Sequence, residues 1–106
     1  MSYRYMRVLV FFDLPTTTSA DRRAYSRFRR FLLKSGFIMM QESVYCKLAL
    51  NQTVSGAIIS NIKKNKPLEG MVQILTVTEK QFSKIEMVTG EFNSQVLDND
   101  ERLIVL

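Results

Sequence analysis

The chain has 106 residues, of which 46% are hydrophobic and 24% charged, and its formal net charge is +5. This length suits one domain spanning residues 1–106 and is too short for two independent cores. The sequence contains no histidine, which excludes imidazole bases, Ser-His and Cys-His pairs and His-containing zinc sites. Its single cysteine, Cys46, excludes an internal disulfide.

The positive charge is concentrated in the first 40 residues, which hold eight Lys or Arg and two Asp or Glu, against seven and eight in the remainder. A concentrated positive field attracts nucleic acid, anionic lipid or an acidic protein, and charge alone does not choose between them. The apolar run at residues 8–12 stops at Asp13 and is too short for a signal peptide or a membrane span. We therefore expect a cytoplasmic protein with no membrane partner.

The first predicted elements are a strand and a helix. Residues 3–13 are rich in aromatic and β-branched side chains, which predicts a central strand covered on both faces. A helix is predicted over residues 19–35, because Thr18 and Asp21 are spaced like a capping box and Gly36 supplies a left-handed stop. Its apolar residues recur at helical spacing and predict a face that packs on the sheet: Ala24, Phe28, Phe31 and Leu32.

Two strands are predicted within residues 37–50, with a bend at residues 41–43. Asn51 then caps a second helix that extends to about residue 66 and ends before Pro67. The inward face of this helix is predicted to hold Val54, Ala57, Ile58 and Ile62. Residues 71–78 form a further strand. The order β-α-β-β-α-β predicts an α+β domain in which two helices cover one face of a four-stranded antiparallel sheet.

Two apolar segments follow this core, at residues 85–88 and 103–106. Four apolar residues at the end of a sequence fray or aggregate unless they pair, so they predict an added edge strand. Such a strand either joins its own sheet or completes a sheet across a two-fold dimer.

Three segments match a known family in order and spacing: residues 11–15 (FFDLP), 22–37 (RRAYSRFRRFLLKSGF) and 41–45 (QESVY). Together they resemble the small subunit of the CRISPR spacer-acquisition complex. Their residues are similar to those of the versions found in type II systems. The resemblance implies a homodimer of ferredoxin-like domains that supports duplex DNA and bridges integrase subunits. It also implies the accessory adaptation proteins of type II systems as candidate partners.

The resemblance further implies that some members cleave RNA or DNA with Mg²⁺ through a first-strand aspartate, which corresponds to Asp13. One carboxylate holds Mg²⁺ poorly unless phosphate oxygens or a second carboxylate join it. If a two-fold axis brings both copies of Asp13 together, the pair would hold one Mg²⁺ and activate water. The alternative is that Asp13 only caps the following turn. The chain has Phe12 where the family often has Tyr and Tyr45 where it often has Phe, which suggests fewer polar groups near Asp13.

A basic stripe runs along the first predicted helix, beside its apolar face. It consists of Arg23, Arg27, Arg30 and Lys34, with Arg22 on its outer side. Guanidinium groups suit phosphate oxygens, and such contacts position a duplex without reading its sequence. Because only the acidic Asp21 balances the cations of this helix, we predict phosphate binding rather than a solvated basic face.

These features lead to three functional hypotheses. The first is a non-catalytic dimeric scaffold that holds duplex DNA between integrase subunits. The second is a Mg²⁺-dependent endonuclease that acts on RNA or double-stranded DNA through the Asp13 pair. The third is a basic RNA-binding or protein-interaction domain, although the strands carry no aromatic RNA-binding signature.

Overall fold

The computed structural model describes residues 5–90. The strands are β1 (Met6–Asp13), β2 (Ile38–Gln41), β3 (Val44–Ala49) and β4 (Met71–Thr78), and the helices are α1 (Ser19–Lys34), α2 (Gln52–Lys64) and α3 (Glu79–Phe82). The predicted β-α-β-β-α-β order is confirmed, and a short third helix follows it. Among residues 5–90, no helix is both long enough and apolar enough to cross a membrane.

The four strands form one sheet in the order β2-β3-β1-β4, and every neighbouring pair is antiparallel. β1 is the central strand, as predicted, since Val10 lies opposite Tyr45 of β3 and Ile74 of β4. β2 is a four-residue edge with a register shift between Met39 and Gln41. The other edge, β4, is twice as long and pairs with β1 over its full length.

The predicted ends of α1 are confirmed by its hydrogen bonds. The Thr18 hydroxyl accepts from the Asp21 amide at 3.0 Å, and the Asp21 carboxylate accepts from the Thr18 amide at 3.2 Å, which completes a capping box. At the other end Gly36 has φ +94°, and the Phe37 amide donates to the Leu32 carbonyl at 3.0 Å. This left-handed residue turns the chain from α1 into β2.

α2 begins as predicted, but its inward face matches the prediction only in part. Asn51 caps it, because its side-chain oxygen accepts from the Val54 amide at 2.9 Å. Ile62 is buried and Ile58 packs against the core, as predicted, whereas Val54 and Ala57 are exposed and Ser55 is buried instead. The Ser55 hydroxyl donates to the carbonyl of Gln52, which satisfies its hydrogen bond inside the helix. The helix ends at Lys64, before the predicted position.

The short helix α3 was not predicted; its signal in the sequence is a capping box between Thr78 and Gln81. Arg7 of β1 holds this helix against the sheet, because its guanidinium donates two hydrogen bonds to the Glu79 carboxylate at 2.9 and 2.6 Å. The same guanidinium lies 4.4 Å from the centre of the Phe82 ring. The segment at residues 85–88 forms no regular element and is exposed, and residues 103–106 lie outside the described part of the chain.

The core lies between the sheet and helices α1 and α2. Alternate residues of β1 are buried against these helices: Met6, Val8, Val10 and Phe12. The side of the sheet away from α1 and α2, which we call the open face, is apolar and partly exposed. It is formed by Leu9, Phe11, Val44, Leu48, Met71 and Leu75. Within residues 5–90 only α3 covers one end of it, so the second cover predicted for β1 is largely missing there.

Candidate functional site

The predicted basic stripe lies along the exposed side of α1. All of its members are exposed, and so are the flanking Arg22 and Arg29. The one ion pair within residues 5–90 joins Arg7 to Glu79, so no cation of α1 has an acidic partner in that part of the chain. A shallow groove with a volume of about 540 Å³ runs between these side chains, lined by Ser19, Arg22, Arg23, Ser26, Arg27 and Arg30.

Arg22 differs from the other cations of α1. Its guanidinium donates to the carbonyls of Thr16 and Thr17, both at 3.2 Å. These bonds hold the turn between β1 and α1 against the first turn of the helix. Arg22 therefore has a structural role beside any contact with phosphate, whereas no side-chain hydrogen bond engages Arg23, Arg27 or Arg30 within residues 5–90.

A second group of cations lies at the end of α2 and was missed by the sequence analysis. Lys63 and Lys64 occupy the last turn of the helix, and Lys66 follows in the turn that leads to β4. All three are exposed. Lys66 lines the same cavity as Arg27 of α1, although the two residues are far apart in sequence. The sequence does show three lysines within four residues, which indicates a local basic cluster. It does not show how close this cluster lies to α1.

Asp13 is the last residue of β1 and lies on the open face, where Met71 of β4 is its cross-strand neighbour. Its side chain is exposed. It borders a pocket of about 200 Å³ that also contains the polar residues Ser43 and Gln73. Gly70 has φ +95° and brings the turn before β4 against the end of β1, since a Cβ there would lie 2.8 Å from the Asp13 carbonyl oxygen. The turn before β4 therefore packs directly on the backbone that carries Asp13.

The residues around Asp13 provide oxygen donors of the kind that Mg²⁺ prefers: a carboxylate, a hydroxyl from Ser43 and a carboxamide from Gln73. Among residues 5–90, no three His, Cys, Asp or Glu side chains come together as a metal-binding group. One chain therefore offers a single charged ligand at this place. The donor set fits Mg²⁺ when a second carboxylate is added, and the pairing of two Asp13 carboxylates stays a prediction.

The aromatic residues linked to Asp13 in the sequence analysis face the other side of the sheet. The Phe12 ring packs 5.3 Å from the Phe28 ring and 5.6 Å from the Tyr45 ring, measured between ring centres. Tyr45 is fully buried, and its hydroxyl has no hydrogen-bond partner within residues 5–90. Burial raises the pKa of this tyrosine, and the nearby positive charge of Arg29 opposes the rise. Phe12 and Tyr45 are therefore core residues and do not place groups beside the Asp13 carboxylate.

The β-α-β-β-α-β order and the strand order β2-β3-β1-β4 define a ferredoxin-like α+β domain, which here has a basic helical side, an apolar open face and an aspartate at the end of the central strand. A solved structure described as a crystal structure of cas2 shares this fold, with a TM-score of 0.57 and 19% identity over 95% of this chain and 99% of that chain. The family model for CRISPR associated protein Cas2 matches residues 6–85. The chain belongs to the Cas2 family of CRISPR-associated proteins.

Several relatives, each named CRISPR-associated endoribonuclease Cas2, match most of the chain. The protein of Treponema denticola is 57% identical over 95% of this chain and 100% of its own length. That of Acidovorax ebreus is 48% identical over 80% and 83%, and that of Streptococcus mutans is 46% identical over 95% and 93%. These matches confirm the resemblance that the three sequence segments indicated.

Proposed function

We propose that this protein is a dimeric scaffold of CRISPR spacer acquisition, which binds duplex DNA in the cytoplasm and bridges integrase subunits. The observation that carries the proposal is the row of exposed cations on α1, none of which has an acidic partner within residues 5–90. Membership of the Cas2 family supports a role in CRISPR systems. The geometry of α1 supports the choice of a polyanionic ligand.

The stripe on α1 has the length and chemistry to follow a phosphate backbone. The eleven steps from Arg23 to Lys34 correspond to about 16 Å at the helical rise of about 1.5 Å per residue. A strand of DNA presents one phosphate per about 3.4 Å of helix axis, so the stripe spans several phosphates. Guanidinium groups donate to phosphate oxygens whatever the base sequence. Such a surface binds any duplex, as a scaffold for new spacers requires.

The open face and the edge of β4 support a homodimer. A contiguous apolar surface on a sheet is usually covered by a protein partner. Two copies related by a two-fold axis would bury this face against itself. β4 is a long edge without Lys or Pro, the residues that commonly prevent strand addition.

The other partners follow from the family rather than from a contact in the structure. A two-fold dimer presents every surface twice, so one dimer bridges two identical integrase assemblies. The accessory adaptation proteins of type II systems are further partners in this proposal, and RNA is a second nucleic-acid ligand for the same cations. None of these partnerships requires the Asp13 carboxylate.

The scaffold hypothesis is tested by the salt dependence of duplex binding. Neutralising Arg27 and Arg30 together should reduce the slope of log affinity against log salt by roughly 1.8, because each lost phosphate contact contributes about 0.9. Neutralising Lys80 and Lys84, which lie in and after α3, is the matched control and should leave the slope unchanged. An unchanged slope for the Arg27 and Arg30 variant would remove α1 from the DNA interface.

A second candidate function is a Mg²⁺-dependent endonuclease acting on RNA or double-stranded DNA. It is favoured by the name of the relatives, CRISPR-associated endoribonuclease Cas2, and by the exposed position of Asp13 on the open face. Asp13 of both subunits would hold the ion, with oxygens of Ser43 and Gln73 nearby. When bound, Mg²⁺ supplies Lewis-acid stabilisation of phosphate charge and activates water. This function uses the dimer of the scaffold proposal but a different surface.

The two proposed functions predict different outcomes when Asp13 is substituted. In the nuclease hypothesis, Asp13→Asn abolishes Mg²⁺-dependent cleavage by the purified protein, while its fold and its duplex binding persist. Glu69→Gln, which removes another exposed carboxylate, should leave cleavage unchanged. Cleavage that survives Asp13→Asn would exclude this site. In the scaffold hypothesis, Asp13→Ala leaves spacer acquisition in cells intact.

A further inference from the structure

The lysines at the end of α2 extend the basic surface sideways from α1. Arg27 and Lys66 line one cavity of about 270 Å³, which lies between the first turns of α1 and the turn before β4. Lys66 and Lys63 line the next groove, of about 400 Å³, between α2 and β4. The three cations therefore form a continuous band that crosses from one helix to the other. None of them has an acidic partner within residues 5–90.

The turn that carries Lys66 is held in a defined position. Pro67 fixes one backbone angle, and Gly70 takes φ +95°, which side chains rarely allow. A Cβ at Gly70 would lie 2.7 Å from a methyl carbon of Leu14, so the turn packs directly on the segment after β1. A lysine on such a turn loses less freedom on binding than one on a mobile loop.

The acidic groups on the walls of the cavity do not cancel this charge. Asp21 accepts the Thr18 amide at the start of α1 and is engaged in the capping box. Glu69 is exposed and remains the one other carboxylate on the cavity walls. Against it stand Arg27, Lys63 and Lys66. The band keeps a net positive charge, which suits a polyanion rather than a basic or neutral partner.

We infer that Lys63 and Lys66 contact the second strand of a duplex whose first strand follows the α1 stripe, so that this surface prefers double-stranded to single-stranded nucleic acid. This inference rests on the proposed binding of DNA by α1. A single strand tracks one line of cations with its flexible backbone. A duplex presents another phosphate strand to the side, across a groove about 6 or 12 Å wide. Cations beside the stripe are placed for that second strand.

The test compares two probes: a 30-base-pair duplex of mixed sequence and an oligothymidine of equal phosphate number. Lys63→Gln with Lys66→Gln keeps similar side chains without charge. Two lost phosphate contacts should lower the salt slope for the duplex by roughly 1.8 and leave that for oligothymidine unchanged. Arg27→Gln with Arg30→Gln should lower both slopes, and Lys80→Gln with Lys84→Gln should lower neither. Thermal unfolding checks that every variant is folded.

The outcomes separate this inference from the scaffold proposal. Equal losses for duplex and oligothymidine in the Lys63 and Lys66 variant would show an unselective basic surface and overturn the inference. So would an unchanged slope for both probes, provided that the Arg27 and Arg30 variant loses duplex binding. If instead the Arg27 and Arg30 variant binds the duplex as the wild type does, the proposed function itself fails.

Discussion

The helical layer and the open face lie on the two sides of one sheet, yet they carry opposite chemistry. The outer surface of α1, of α2 and of the turn after α2 is basic, with nine exposed Lys and Arg side chains: Arg22, Arg23, Arg27, Arg29, Arg30, Lys34, Lys63, Lys64 and Lys66. The open face has Met71 and Leu75 more than half exposed, at 57% and 52%. Burial costs free energy for charged groups, because they lose hydration, whereas it is favourable for apolar groups. In the proposed function, this separation allows one domain to bind a polyanion on one side and a protein surface on the other.

The largest effect is expected from a charge placed on the open face. Leu75→Asp should weaken dimerisation at least about 100-fold, because an unpaired carboxylate buried in an interface costs several kcal/mol. The measurement is sedimentation equilibrium over a range of protein concentrations. Leu33→Asp is the matched control, since Leu33 is an exposed leucine of similar accessibility on α1. A Leu75→Asp protein that dimerises like the wild type would place the dimer contact elsewhere.

A smaller effect, on stability, is expected at the end of β1, where the turn that contains Gly70 packs against the chain. Gly70→Ala should lower the free energy of unfolding by about 2 to 3 kcal/mol, because the added Cβ meets Leu14 and the positive φ is strained for alanine. Urea unfolding measures this loss. Gly56→Ala is the control: it lies in α2 with no atom within 4 Å of the added carbon, and should gain up to about 1 kcal/mol. Equal stabilities of the two variants would contradict this account.

The smallest effect concerns the core under the helical layer. Tyr45→Phe should raise the free energy of unfolding by about 1 kcal/mol, because the buried hydroxyl of Tyr45 lacks a partner within residues 5–90. Burial raises the pKa of Tyr45 in the folded state. Folding therefore opposes ionisation of this hydroxyl, so the stability of the wild type is fully retained below the unfolded pKa of about 10 and falls as pH rises from there through the folded pKa.

The pH dependence provides the readout for that prediction. Urea unfolding at neutral pH and above pH 10 should show the difference between Tyr45→Phe and wild type growing with pH, since only the wild type has this hydroxyl to ionise. Tyr25→Phe is the comparison, because the Tyr25 hydroxyl already donates to the Glu42 carbonyl at 3.3 Å. A Tyr45→Phe protein less stable than wild type at neutral pH would mean that the hydroxyl is bonded in solution.

Local signals predicted the elements of this protein well. The Thr18 capping box, the Gly36 stop and the Asn51 cap act within a few residues, so they are legible in the sequence. The inward face of α2 was predicted less well. Spacing alone favoured Val54 and Ala57, but packing on the sheet buries Ser55 instead. Helix rotation is decided by the fit of side chains to the surface beneath.

The candidate site shows the same division. The stripe on α1 lies on one helix, where the period of 3.6 residues places its members on one side before any tertiary contact forms. Asp13 was likewise found at the end of an apolar run. The approach of Lys66 to Arg27, and of Ser43 and Gln73 to Asp13, joins residues from different elements. No local pattern encodes such distances.

Neighbouring residues and matching segments were enough to predict the order of the four strands and of α1 and α2, the caps of both helices, the family and the basic character of α1. Three features became visible only in the folded chain: the open side of the sheet, the orientation of Phe12 and Tyr45 away from Asp13, and the position of Lys66 beside the α1 stripe. These features depend on strand alternation and on packing between residues distant in the chain. The predictable features rest on interactions between residues close in the sequence, whereas the others rest on tertiary contacts that exist only after the chain has folded.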